Sequence, residues 1–186
     1  MKEIFFITGN KGKVLEATTK LSPRGYRVVQ KDLGYPEVQA DSLEEVAAYG
    51  VMDIQKRFHD CFILEDAGLF IEALKGFPGV YSKYVFLTIG LDGVLRLLEK
   101  AQNRRAVFRS VFAFSEPGKK PLIILGECPG MISMEKRGTH GFGYDPIFLP
   151  DGSEKTFGEM AAEEKNLFSH RGKALEKLVL VLQEKK

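Results

Sequence analysis

Thr8-Gly9-Asn10-Lys11-Gly12-Lys13 lies between an apolar run, Ile4-Phe5-Phe6-Ile7, and a segment in which Val14, Ala17, Thr18 and Leu21 recur at helical spacing. A buried strand, a glycine-containing turn and an amphipathic helix in direct succession restrict the chain to folds that begin on a strand–loop–helix unit. The loop has the makings of a phosphate cradle. Its two glycines let the backbone approach a ligand closely, and its two lysines and the N–H groups of the helix start supply positive potential. It is not the P-loop pattern G-x-x-x-x-G-K-[ST], because only two residues separate Gly9 from Gly12 and Val14 follows Lys13. Taken alone, the loop fits a strand-to-helix turn with solvated lysines as well as it fits a cradle.

The helix stops at the turn cluster Ser22-Pro23-Arg24-Gly25, and a second strand follows over residues 26–30. After an irregular stretch over 32–40, Ser42-Leu43-Glu44-Glu45 forms a capping box, and Leu43, Ala47, Val51, Ile54 and Phe58 give the helix behind it one apolar face. Residues 61–64 read as a buried strand that ends at Glu65-Asp66, with a further strand over 69–74 broken by Lys75-Gly76-Phe77-Pro78-Gly79. A helix is expected over 92–100. Two long strands, 107–115 and 122–128, form a hairpin that 131–135 extends, and a final helix runs over 169–184. Alternating strands and helices that give way to an antiparallel pair imply an α/β fold built on a mixed sheet flanked by helices.

Length and composition narrow the function classes. The 186 residues suffice for one sizeable core and are short for two, so residues 1–186 are read as a single domain. A net charge of +2, with basic residues only in short separated clusters, argues against a nucleic-acid footprint. The longest N-terminal apolar run is far below a signal sequence or membrane span, which favours a cytoplasmic protein with no membrane partner. Cys61, placed in a buried strand, and Cys128, placed before a Pro-Gly turn, read as reduced thiols, and the three scattered histidines make transition-metal chemistry an unfavoured reading.

Three further clusters carry chemistry. Adjacent acids at the end of an apolar strand need a nearby positive charge, and a divalent metal would supply it. Side chains alternate along a strand, so Glu65 and Asp66 face opposite ways, and Glu37 in the preceding loop is a possible partner for Asp66. Oxygen ligands without His or Cys suit Mg²⁺; solvent-exposed acids of no particular role fit the pair as well. Gly138-Thr139-His140-Gly141-Phe142-Gly143-Tyr144-Asp145-Pro146 interleaves glycines with aromatics, either as a tight packed turn or as a pocket where a purine stacks on Phe142 while backbone groups and Asp145 meet its polar edge. Lastly, Ser169 is a natural N-cap followed by His170 and Arg171, where a helix dipole favours acids; either these are solvated basic side chains or a bound anion reverses that penalty, with Lys165 adding a point charge. Two cationic helix starts, a carboxylate suited to a metal and an aromatic glycine loop together fit a nucleoside triphosphate.

These segments, in this order and over essentially the whole chain, resemble the inosine triphosphate pyrophosphatase-like family. The matching stretches are Thr8-Gly9-Asn10 with Lys13, Glu65-Asp66-Ala67-Gly68-Leu69, Phe77-Pro78-Gly79-Val80-Tyr81-Ser82, Gly141-Phe142-Gly143-Tyr144-Asp145-Pro146-Ile147-Phe148, and Glu164-Lys165-Asn166 through Ser169-His170-Arg171. The resemblance implies an elongated mixed sheet in two lobes with a central cleft, a homodimer, and Mg²⁺-dependent hydrolysis of non-standard purine nucleoside triphosphates (ITP, dITP, XTP) to monophosphate and pyrophosphate. It implies Asp66 as proton acceptor and, with Glu37, as metal ligand. It also implies that Thr8, Gly9, Asn10, Lys11, Gly12, Lys13, Lys165, Ser169, His170 and Arg171 hold phosphates and base, and that Phe142, Gly143, Tyr144 and Asp145 form the base pocket. Two positions depart from the pattern: Ala67 stands where the family often has Ser, and the turn Val46-Ala47-Ala48-Tyr49-Gly50 lacks a lysine that members tend to carry, for which Lys83 is a candidate replacement. A Maf-like pyrophosphatase of modified pyrimidine nucleotides and a nucleotide sensor without turnover are the competing functions.

Overall fold

A computed structural model describes residues 2–36 and 38–184. Among the described residues, seven strands form one mixed sheet in the order β2-β1-β3-β5-β6-β7, with β4 paired to β3. β1 (Lys2–Ile7) runs parallel to β2 (Tyr26–Lys31) and to β3 (Phe62–Ile71), whereas β3, β5 (Arg105–Ser115), β6 (Leu122–Ile132) and β7 (Phe148–Pro150) are successively antiparallel. The helices are α1 (Lys11–Leu21), α2 (Leu43–Ile54), α3 (Ser82–Leu97), α4 (Ala162–Phe168) and α5 (His170–Glu184). The two-residue strand β4 (Pro78–Gly79) lies against β3.

Strand alternation decides what each face of the sheet covers. Ile4, Phe6, Ile63, Phe112 and Ile124 pack under α1 and α5, while Ile7, Phe62, Leu64, Val111 and Ala113 pack under α2. A third core gathers Leu69, Ile71, Phe108, Phe148 and Phe157 with Val85 and Val94 of α3. The first two cores lie on the two faces of one end of the sheet and the third lies at the other end, with β3, β5 and β6 running through both.

Several expected boundaries move. The acid pair does not end a strand: β3 continues unbroken through Glu65 and Asp66 because β5 pairs with it along its whole length, Phe62↔Ser115 to Ile71↔Ala106. β6 likewise runs on through Pro129 and Gly130, so Cys128 lies inside a strand, and Cys61 is exposed just ahead of β3. The helix expected at 92–100 starts ten residues earlier, at Ser82, and ends at Leu97. Its first half, Tyr84-Val85-Phe86-Leu87-Thr88-Ile89, is β-branched and aromatic and reads poorly as helix, and the helix bends at Gly90, whose φ is 63°. Phe58 lies beyond the end of α2 and packs edge-on to Phe5 at 5.2 Å. The capping box at Ser42 is present, with Glu45 N–H donating to Ser42 Oγ and Ser42 N–H donating to the Glu45 carboxylate.

The seat of α5 on the sheet depends on one glycine. Gly126 of β6 lies directly beneath the start of α5, and a Cβ there would collide with the carbonyl of His170 and the amide nitrogen of Ala174. Overpacking of this kind costs typically about 1–3 kcal/mol. Gly126→Ala is therefore expected to lower stability by about that amount in urea denaturation, since backbone rather than a flexible side chain would have to yield.

Candidate active site

The edge of β3 opposite β5 is shared by two strands that do not meet. β1 pairs with Phe62, Ile63 and Leu64, and β4 pairs with Leu69 and Phe70. Among the described residues, no strand flanks Glu65, Asp66, Ala67 and Gly68 on that side, which leaves a window of about 13 Å at roughly 3.3 Å per residue. The window opens at the carboxyl end of β1, where ligands bind in open α/β sheets, and the Thr8–Lys13 loop stands over it. Asp66 lies on the α2 face, and Glu65 and Ala67 on the face of α1 and α5.

The loop itself is built from its own polar groups. Asn10 N–H donates to Thr8 Oγ1 (3.1 Å), and Asn10 Oδ1 accepts from Lys13 N–H (3.1 Å), which makes Asn10 the N-cap of α1. Thr8 N–H donates to the Lys31 carbonyl, tying the loop to the end of β2. Gly9 passes against the Asp32 carboxylate, and Gly12 lies so close to the Phe142 ring that a Cβ would strike it. Lys11 is exposed, while Lys13 turns inward, where its Nζ bonds Glu65 twice, at Oε2 (2.8 Å) and at the backbone carbonyl (3.0 Å).

From Lys13 a chain of alternating charge runs into the protein. Glu65 accepts from Arg171 (Nη2 to Oε1, 3.0 Å), Arg171 Nη1 donates to Glu16 Oε2 (2.5 Å), Glu16 Oε1 accepts from Lys165 Nζ (2.6 Å), and Lys165 also donates to Asp145 Oδ2 (2.7 Å). Asp145 in turn accepts the Phe142 N–H at 2.8 Å, which shapes the glycine loop, and Gly141 has no room for a side chain beside that carboxylate. The Phe142 ring covers the chain, 4.8 Å from Lys165 Nζ and 5.4 Å from the Arg171 guanidinium.

Burial alone would raise the carboxyl of Glu65, but Arg171 and then Lys13 outweigh it and hold the group well below the usual carboxylate range. Glu16 is likewise lowered, burial being overcome by Arg171 and Lys165. Asp145 goes the other way: burial, aided by the Glu16 charge, raises it in spite of Lys165. His170 is buried and stacked on Phe108 with ring centroids 4.6 Å apart; burial and the nearby Arg171 charge push it well below its ordinary value, so it is neutral. Among the described residues, its buried Nδ1 has no hydrogen-bond partner.

The residues singled out from sequence therefore occupy distinct places. Lys165, Arg171, Asp145, Phe142 and His170 converge, and Lys13 joins them through Glu65. Ser169 is fully buried and its Oγ accepts the Gly172 N–H at 2.9 Å, so it caps α5. Tyr144 is buried, its hydroxyl donates to the Ser82 carbonyl (2.7 Å), and Gly143 beside it forms the turn. Lys83 is exposed at the start of α3, and Ala67 sits directly across from Ser110 of β5. Glu37 lies outside the described residues. Glu16 and Ser110 were missed. Glu16 had one legible sign, an acid on the buried side of α1 one turn after Lys13; Ser110 had none, because its role depends on the cross-strand pairing.

No three His, Cys, Asp or Glu side chains converge on a cation among the described residues. Asp66, a half-buried oxygen donor at the window, fits Mg²⁺, which takes one or two carboxylates and leaves other positions to water and phosphate. No helix among the described residues is long and apolar enough to cross a membrane.

A mixed α/β sheet with a glycine-containing loop at the carboxyl end of its first parallel strand, beside a buried charge chain, is an arrangement that suits a nucleotide. The chain belongs to the Ham1 family, whose model matches residues 4–181. It is 57% identical to the dITP/XTP pyrophosphatase of Pyrococcus horikoshii over 93% of this chain and 92% of that protein. It is 53% identical to the enzyme of the same name from Methanopyrus kandleri, over 94% and 93%. Among solved structures, the Ham1 protein of Staphylococcus aureus superposes with a TM-score of 0.84 at 30% identity and full coverage of both chains. A HAM1 protein from Coxiella burnetii gives 0.84 at 33%, covering 99% of this chain and 100% of that one.

Removing one partner of a buried ion pair costs about 3–5 kcal/mol, and Glu16 serves two. Glu16→Gln is expected to lose stability in that range at pH 7. Because the folded carboxyl is held below its unfolded value of about 4.3, its contribution is complete above that pH and fades as the pH falls through the lower folded value. Denaturation of wild type and variant from pH 7 to pH 3 checks this: the gap between them should shrink only below about pH 4.3.

Proposed function

We propose that this chain is a Mg²⁺-dependent pyrophosphatase that hydrolyses ITP, dITP and XTP to the nucleoside monophosphate and pyrophosphate. The observation that carries the reading is the window in the sheet, which sets a carboxylate on one face and a charge-matched cluster on the other with the phosphate loop between. The names of the Pyrococcus and Methanopyrus relatives agree with it.

The charge chain assigns the two ends of the substrate. Lys165 and Arg171 are already balanced by Glu16, Asp145 and Glu65, so they offer directed N–H donors with little net charge. A neutral carbonyl, the 6-oxygen of a hypoxanthine or xanthine ring stacked near Phe142, suits such donors better than a phosphate does. An adenine amino group there would leave buried donors unpaired, a mismatch that reaches about 10⁴-fold in rate. Phosphates fall to the loop, where Thr8, Gly9, Asn10, Lys11 and Gly12 present hydroxyl, amide and N–H groups at the positive end of α1, with Lys13 beside them. Lys83, exposed at the start of α3, is the candidate for the outer phosphates. Asp66 accepts the proton of the water that attacks the α-phosphorus. Asp66, with Glu37, would hold Mg²⁺, which supplies charge neutralisation for the departing pyrophosphate.

A homodimer would cover Tyr84 and Leu87 of α3, which are 69% and 72% exposed, and light scattering should then give a mass twice that of the chain.

Incubation with Mg²⁺ and a panel of nucleoside triphosphates tests the reading. ITP and XTP should yield monophosphate and pyrophosphate far faster than ATP. Asp66→Asn should lower turnover by about 10²–10⁴-fold, the usual worth of a general base, while ITP still binds. Release of orthophosphate and diphosphate would overturn the mechanism, and equal rates on ATP and ITP would overturn the specificity.

A further inference from the structure

Glu65 is a fully buried acid whose neighbour Asp66, on the other face of β3, takes the chemistry. Its carboxylate is held from three directions. Ser110 Oγ, cross-strand on β5, donates to Oε1 at 2.6 Å; Arg171 donates through Nε (3.1 Å) and Nη2 (3.0 Å); and Lys13 Nζ binds Oε2 at 2.8 Å. The Glu65 carbonyl takes a second bond from the same Nζ at 3.0 Å. A lysine ammonium has three N–H donors. With two fixed on residue 65, the third has a set direction, and the side chain retains 17% exposure at the window.

Stability alone gives a weak account of this arrangement, because apolar replacements of a buried ion pair are often neutral or stabilising. What the carboxylate adds is geometry. It fixes one cation from the phosphate-loop helix and one from α5 to a single point on a strand held by ten residue pairs to β5.

We infer that Glu65, oriented by Ser110, is the positioning residue that sets Lys13 and Arg171 relative to one another, so that the phosphate end and the base end of the site address one substrate. The inference rests on the pyrophosphatase reading. It extends that reading to two residues that need not touch the nucleotide.

The test compares wild type, Glu65→Gln and Ser110→Ala for kcat and KM on ITP and ATP, with ITP binding by calorimetry and thermal unfolding recorded in parallel. Misplacement of a substrate-holding group by an ångström can cost about 10²-fold. Glu65→Gln should lower kcat/KM for ITP by about that factor, raise KM and narrow the preference for ITP over ATP. Ser110→Ala should shift the same quantities in the same direction by about tenfold, the worth of a hydrogen bond to a charged group. If both variants keep the wild-type KM and preference and only melt earlier, the role is structural and the inference is overturned while the pyrophosphatase reading stands. If Glu65→Gln does not fold, Ser110→Ala decides by the same criterion. If the wild type turns over no triphosphate, that reading fails instead, and weaker ITP binding by the variants upholds the positioning role while unchanged binding overturns it.

Discussion

Charge balance in the interior is the constraint around which this structure is arranged. Lys13, Glu65, Arg171, Glu16, Lys165 and Asp145 alternate in sign along one continuous chain of ion pairs, and all but Lys13 have side chains no more than 5% exposed. Desolvating any one of these groups alone would cost several kcal/mol. They come from α1, β3, α4, α5 and the turn that contains Asp145, so those elements can dock only together. Hydrophobic packing supplies most of the drive to collapse, but the chain of ion pairs fixes which residues face which, because a misregistered helix would strand a charge.

The same chain would let a site with so many cations select a neutral base, as the proposed function requires. Each buried cation keeps its donor geometry and gives up most of its net field to a carboxylate. Recognition at the deep end then depends on whether a ligand offers acceptors where N–H groups already point. Near the surface the balance relaxes: Lys11 is exposed and Lys13 keeps 17% exposure, and the start of α1 adds its dipole.

Much of the fold was legible from local patterning. The strand–loop–helix start, the capping box at Ser42 and the apolar face of α5 each rest on interactions within a few residues, and each appears where expected. What escaped depends on partners far away in the chain. The first half of α3 carries a strand-like composition and becomes helical by packing Val85 into the core of Phe108 and Phe148. The continuity of β3 through two acids looks unfavourable until β5 and Arg171 are in place. At the site, the residue types were readable but their connections were not. His170 and Arg171 read as cations at a helix start whose cost a bound anion would offset; one is neutral and buried, and the other is neutralised by Glu16 and Glu65, which lie 155 and 106 residues away in sequence.

The window between β1 and β4 has a further consequence for a protein of this kind. A bare length of strand edge is ordinarily a template on which another polypeptide can add and start aggregation. Among the described residues, the stretch that no strand flanks is short, with β1 closing one end at Leu64 and β4 the other at Leu69. An incoming chain would have to lie in a slot shorter than a typical strand and turn away at both ends. A small molecule meets no such demand, so a gap of this length disfavours the partner most dangerous to a sheet.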